Sequence, residues 1–284
     1  MHQATAFQRH MQEPARWHSP VVPVIFRRMP TRPYILAEST WKTVDATPYD
    51  VAVLPWGATE AHNYHLPYGT DVIECDHVAA ESARLAWERG ARVVVLPTVP
   101  FGVQTGQLDI PFCLNMNPST QRLVLLDLAH ALEGQGVRRL VILNGHGGNE
   151  FKAMIRDIQP QVPKLFLCVV NWWTAVDAKP YFTQPGDHGG AMETSVVMHV
   201  APDLVRPLSE AGSGAERKAR VAAMREGWAW APRRWTAVTD DTGVGDPSDS
   251  SAEKGATFFK AATERIAGFF VELAKTDPND LYEG

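Results

Sequence analysis

The 284-residue sequence predicts an α/β fold of three layers, α/β/α, with helices on both faces of a mainly parallel sheet. Short unbroken apolar runs alternate with longer amphipathic stretches, the pattern of strands buried on both faces and joined by crossover helices. Glycines fall where those helices should stop. Segments rich in His, Asp, Glu and Gly follow the strands, at the sheet edge where open α/β folds bind their ligands.

In chain order, Val51–Leu54, Val93–Leu96, Leu140–Leu143 and Leu165–Val170 read as strands. Helical periodicity covers Asp76–Arg89, Ser119–Gln135 and Glu150–Ile158, with Asp76 and Pro118-Ser119-Thr120 as starts and Gly90, Gly134 and Gly136 as stops. Further helices are predicted over Ala191–Val200, Glu210–Trp230 and Ala252–Lys275, and the turn-rich stretch Thr239–Ser251 must be loop. Residues 1–30 carry four arginines interrupted by Pro14 and Pro20 and are expected to form a mobile N-terminal extension; residues 31–284 form one domain.

A net charge of −5 lacks the basic footprint of a nucleic-acid or anionic-membrane binder. No apolar run approaches the ~20 residues of a membrane span. Cys75, Cys113 and Cys168 are scattered without a CxxC pair, which fits a reducing, cytoplasmic setting rather than a disulfide framework.

Chemistry concentrates in three places. After the first strand come Glu60, His62, His65 and Asp71; after the third comes Asn144-Gly-His-Gly-Gly-Asn149; and Asp187-His-Gly-Gly-Ala-Met-Glu-Thr-Ser195 leads into a helix. Glu60 and His62 are two apart, so in extended backbone both point to one side. Hard oxygen donors beside imidazoles suit a divalent metal that activates water. Asp71 has two oxygens and can bridge two ions, which a histidine cannot. Glu60, His62, Asp71 and His146 are the candidate ligands, and Glu193 lies near the start of a helix whose first turn faces the same edge. An amine leaves poorly unless protonated, so an acid must sit nearby; His188 and Glu150 are the catalytic candidates, with His65 as a further acid or a residue that orients a ligand. Trp56, Trp172 and Trp173 flank strand ends and are expected along the pocket wall.

These motifs, Trp56-Gly-Ala-Thr-Glu-Ala-His-Asn-Tyr-His-Leu-Pro-Tyr-Gly-Thr-Asp71 and Asn144–Asn149 above all, resemble the creatininase (creatinine amidohydrolase) family, as do Asp187–Ser195 and Gly245–Gly255. The resemblance implies a creatininase-like fold and hydrolysis of carbon–nitrogen bonds in small amides, cyclic or linear. It also implies one or two divalent metals per chain (zinc, or manganese or iron) and a homo-oligomer, often a hexamer. Carried over by residue, Glu60 and His146 would hold one metal and His62 the other, with Asp71 bridging. Creatininase takes a further carboxylate two residues after the histidine of the glycine turn. That position is Gly148 here, so the role is assigned to Glu193, with Glu150 as the alternative. A second departure is Phe101–Phe112, where the family's Ser/His and Pro-Gly-Thr pattern is missing. Two other readings stay open. One is a non-catalytic, Rossmann-like binder gripping an anion or nucleotide at Asn144–Asn149, and the other a metal-dependent hydrolase of an oxidised sugar.

Overall fold

The computed structural model describes residues 32–283. The expected extension over residues 1–30 lies outside them. Four parallel strands, β1 (Val51–Trp56), β2 (Val93–Val95), β3 (Arg139–Asn144) and β4 (Phe166–Asn171), lie in the order β2-β1-β3-β4. Register pairs Ala52 with Leu140 and Trp56 with Asn144 across β1 and β3, and Asn144 with Asn171 across β3 and β4. The carboxyl ends of β1, β3 and β4 are therefore level, and every loop leaving them starts from one edge.

Eight α-helices accompany the strands among the described residues: α1 (Trp41–Asp45), α2 (Thr70–Glu88), α3 (Pro118–Gly134), α4 (Phe151–Ile158), α5 (Ala191–Val200), α6 (Ala222–Arg225), α7 (Trp235–Val238) and α8 (Ala252–Lys275). Strand side chains alternate between faces. Val51, Val53, Val93, Val95, Val141 and Leu143 share a core with α2, α5 and α8. Ala52, Leu54, Val94, Leu140 and Ile142 share another with Leu125 and Ala129 of α3 and Phe151, Met154 and Ile158 of α4. These two cores make the three layers. Phe258 and Phe270 of α8 are fully buried, each stabilising the fold by roughly 1.5–3 kcal/mol relative to exposure.

Two helix starts differ from expectation. Helix α2 begins at Thr70, six residues before Asp76, and its N-cap is Gly69; the chain turns into the helix as soon as the Pro67–Gly69 break ends. Asp71 therefore lies in the first helical turn, where the helix dipole favours a carboxylate. Helix α3 starts with Pro118 at its first position and Asn117 as N-cap, as suits a residue without an N–H to lose.

The predicted helix over Glu210–Trp230 is absent except for the single turn α6. Gly214 and Gly227 adopt φ of +63° and +81°, outside helical geometry. Gly212 and Gly214 are instead held by backbone N–H bonds to Asn63 and Asp241. Tertiary hydrogen bonding has overridden helical periodicity. The helices at Ala191–Val200 and Ala252–Lys275 match their expected limits, and Thr239–Ser251 is irregular throughout. Among the described residues no helix is long and apolar enough to cross a membrane.

Candidate metal centre

Glu60 and His62 leave the end of β1, Asp71 comes from the first turn of α2, His146 from the turn after β3, and Glu193 from the first turn of α5. Close backbone packing gathers them. A Cβ on Gly145 would lie 2.4 Å from Cys75 Sγ and 2.9 Å from the Asp71 carbonyl, so only glycine lets the β3 turn touch the start of α2.

The carboxylate of Asp71 divides its oxygens. Oδ1 lies 2.9 Å from His62 Nε2 and Oδ2 lies 2.9 Å from His146 Nδ1. Glu60 Oε1 is 3.0 Å from His146 Nδ1, 3.7 Å from His188 Nδ1 and 3.8 Å from His62 Nε2. Donor atoms mutually within 4.8 Å form three sets: Glu60, Asp71 and His146; His62, Asp71 and Glu193; and Glu60, His62 and His188. All but the partly buried Glu193 are buried.

Each histidine has one ring nitrogen within reach of a backbone carbonyl: His62 Nδ1 at 3.2 Å from Glu60 O, His146 Nε2 at 2.9 Å from Val103 O, and His188 Nε2 at 2.8 Å from Ala61 O. A carbonyl accepts, so these nitrogens carry the protons in the neutral rings and the opposite nitrogens turn lone pairs toward the carboxylates. Lone pairs facing carboxylate oxygens at 2.9 Å repel unless a cation stands between them. His62 Nε2 and Asp71 Oδ2 are buried without an aligned hydrogen-bond partner among the described residues. Such orphaned atoms focused on a common space fit a divalent ion, and carbonyl-oriented imidazoles are how metal ligands are held.

Without an ion, the same geometry perturbs the titration. Burial opposes charging of His62, but the negative charge of Asp71, 2.9 Å away, outweighs that and lifts its pKa to about 10. His146 is raised as well, its burial overcome by Glu60 and Asp71. Asp71 is lowered, because His62 and His146 more than compensate its desolvation. Burial, with the like charge of Asp71, pushes Glu193 up to about 7. For His188, burial and then the neighbouring His62 lower the pKa to about 4, so its ring is neutral near pH 7.

The remaining sequence candidates fall elsewhere. Glu150 is exposed at the N-cap of α4 and does not line the pocket above the cluster. Side-chain space explains the missing carboxylate at Gly148: a Cβ there would meet the Val103 carbonyl at 2.1 Å and His146 Nε2 at 2.5 Å. His65 is buried with Nε2 2.8 Å from Thr194 Oγ1, tying the β1 loop to α5; burial lowers its pKa to about 4. The Asn144–Asn149 turn is held internally, its Asn144 side chain bonding the His146 N–H and carbonyl and the Asn149 amide.

Expected pocket tryptophans are core residues instead: Trp56 packs on Phe151 at 5.1 Å and Trp172 on Phe258 at 6.0 Å, and Trp173 packs partly buried against the α2/α5/α8 core. Trp230, Arg233 and Trp235 line the pocket in their place, with the Trp235 ring 4.6 Å from that of His188 and Arg233 paired to Asp187. Trp230 comes from the segment misread as helix, Arg233 from the loop after it and Trp235 from the first position of α7. Gln107 was also missed; its Nε2 donates to Glu60 Oε2 at 2.7 Å. It lies in Phe101–Phe112, where the family pattern fails and no motif marks it.

The family model for creatinine amidohydrolase matches residues 37–270, and the chain belongs to the creatininase family. It is a hydrolase of that family. A Bacteroides fragilis NCTC 9343 structure, provisionally described as a creatinine amidohydrolase, superposes with a TM-score of 0.84 at 45% identity, covering 90% of this chain and 100% of that one. The mycofactocin precursor peptide peptidase of Mycobacterium tuberculosis (strain CDC 1551 / Oshkosh) is 28% identical over 223 residues, 75% of this chain and 81% of its own length. The creatinine amidohydrolase of Pseudomonas putida is 27% identical over 194 residues, 60% of this chain and 73% of its own length.

Proposed function

We propose that this protein hydrolyses a carbon–nitrogen bond in a small amide, cyclic or linear, using two divalent ions held by Glu60, Asp71 and His146 and by His62, Asp71 and Glu193. One observation carries the reading: the two oxygens of Asp71 each face a different histidine at 2.9 Å. Creatininases of the same fold occur in a Zn–Zn form and a manganese form, which supports zinc or manganese here. Ions at this position supply Lewis acidity and lower the pKa of water toward about 7.

The chain's own groups do the rest. His188, neutral and with Nδ1 turned to Glu60, takes up a proton during attack and returns it to the departing nitrogen. It thus begins the cycle as a base, and becomes the acid anticipated from the sequence only after that uptake. Trp230 and Trp235 line the pocket, and its volume of about 280 Å³ suits a small substrate or the end of a peptide. The internally bonded Asn144–Asn149 turn disfavours the anion-binding alternative.

The test is elemental analysis of purified protein together with turnover of lactams, cyclic ureas, formamides and short peptides, with and without chelator. Two ions per chain and chelator-sensitive release of amine are expected. Fewer than one tightly bound ion, or turnover indifferent to chelation, refutes the proposal.

A further inference from the structure

The Glu60 carboxylate is asymmetric. Three imidazole nitrogens surround Oε1, whereas Oε2 accepts the amide N–H of Gln107 at 2.7 Å. Gln107 closes the single helical turn Thr105–Gln107 and is fully buried. Its other amide atom, Oε1, lies 3.0 Å from Cys113 Sγ, and that sulfur in turn accepts the Ala61 N–H at 3.3 Å. Since Oε1 can only accept, the thiol must donate to it. The chain of donors runs from Ala61 N–H to Cys113 Sγ, from Cys113 S–H to Gln107 Oε1, and from Gln107 Nε2–H to Glu60 Oε2. Flipping the Gln107 amide would set its oxygen against the carboxylate and its NH₂ against the S–H, breaking two bonds at once. The loop carrying both residues is bound to the same β1 extension, through Leu114 N–H to Thr59 O at 3.0 Å and Gln104 Nε2 to Thr59 O at 2.5 Å.

We infer that Gln107, oriented by the Cys113 thiol, is a positioning residue that ties down Glu60 Oε2 and so presents Oε1 to an ion. The inference rests on the proposed two-ion centre and adds a selectivity to it. Of the two sets in that centre, Glu60 belongs to the one with Asp71 and His146 and not to the one of His62, Asp71 and Glu193; its further grouping with His62 and His188 holds no Asp71 and is not one of the two proposed ion sites. A bond made only to Glu60 should therefore tune one ion site and spare the other. A glutamine that merely satisfied a buried carboxylate would show no such split.

The experiment strips the protein of metal with a chelator and titrates it with Mn²⁺ or Zn²⁺ by calorimetry. Glu60→Gln identifies the binding event that depends on that carboxylate. Gln107→Leu, close in volume but unable to donate, should weaken the same event about 10–100-fold, the usual range for groups that orient a metal ligand, and leave the other within threefold. Cys113→Ala should weaken it in the same direction, and Cys113→Ser, which keeps a donor, should restore it. Turnover should lose kcat with KM little changed. If Gln107→Leu leaves both events intact, or weakens both equally, the inference is overturned. Should Gln107→Leu fail to fold, equal affinities in Cys113→Ala and Cys113→Ser overturn it instead. A wild-type protein that binds no ion overturns the proposed function along with this inference, whereas a wild type with two normal events beside an unaffected Gln107→Leu removes this inference alone.

Discussion

Replacing Asp71 by asparagine keeps the volume of a buried side chain and removes its charge. Both candidate ion sets contain this carboxylate, and each of its oxygens faces a histidine at 2.9 Å. Two unit charges 4 Å apart attract by about 4 kcal/mol at an effective dielectric of about 20. An amide oxygen recovers part of that for whichever ion it faces and none for the other, which meets an NH₂ group instead. A loss of roughly 2–4 kcal/mol per ion follows, a factor of about 30 to 700 in affinity at 1.4 kcal/mol per decade. Calorimetric titration of the metal-free variant should show both events weakened, and turnover should fall at least as far. Circular dichroism should stay native, because asparagine fits the same space and its NH₂ finds a histidine nitrogen. Asp71→Asn binding two ions with wild-type affinity would falsify the shared-carboxylate geometry.

Other substitutions probe the remaining assignments. His146→Ala should abolish one ion and turnover while costing about 1 kcal/mol of stability, the worth of its bond to the Val103 carbonyl; denaturant melts and elemental analysis check both. Glu150→Ala should leave kcat/KM within twofold, since the side chain is exposed and away from the pocket. Gly255→Ala should destabilise the fold by about 1–3 kcal/mol in urea melts, because its Cβ would fall 1.8 Å from the Ser195 carbonyl where α8 crosses α5. In metal-free protein, the folded pKa of His62 is raised from 6.5 to about 10. Its stabilising charge is therefore fully present below about pH 6.5 and lost as pH rises through about 10. Ion binding at pH 7 must displace that proton, so weakly buffered solution should acidify on metal addition, and unchanged pH counts against His62 as a ligand.

Much of the site was legible because metal chemistry restricts residue type. Glu60, His62, Asp71, His146, His188 and Glu193 come together in the structure, and each lies just past a strand or at a helix start. Glu150 was not excluded by any local signal; only the direction of α4 carries it out to solvent. The tryptophans misled for a related reason: Trp56 ends a strand, but its strand is central and its ring turns into the α3/α4 core. The Glu210–Trp230 stretch has apolar residues at helical spacing, yet long-range bonds from Asn63 and Asp241 hold its glycines in loop geometry.

Periodicity and residue type are local properties, so the chain alone determined the alternation of strands and helices, the limits of α5 and α8, and a cluster of hard oxygen and imidazole donors at the sheet edge. Which carboxylate oxygen meets which imidazole, why Gly148 admits no side chain, and how Gln107 reaches Glu60 were decided only in the folded state. Those contacts join residues up to 131 positions apart, as between His62 and Glu193. Their geometry is set by the packing of separate crossover helices on a common sheet, and no short window of sequence contains it.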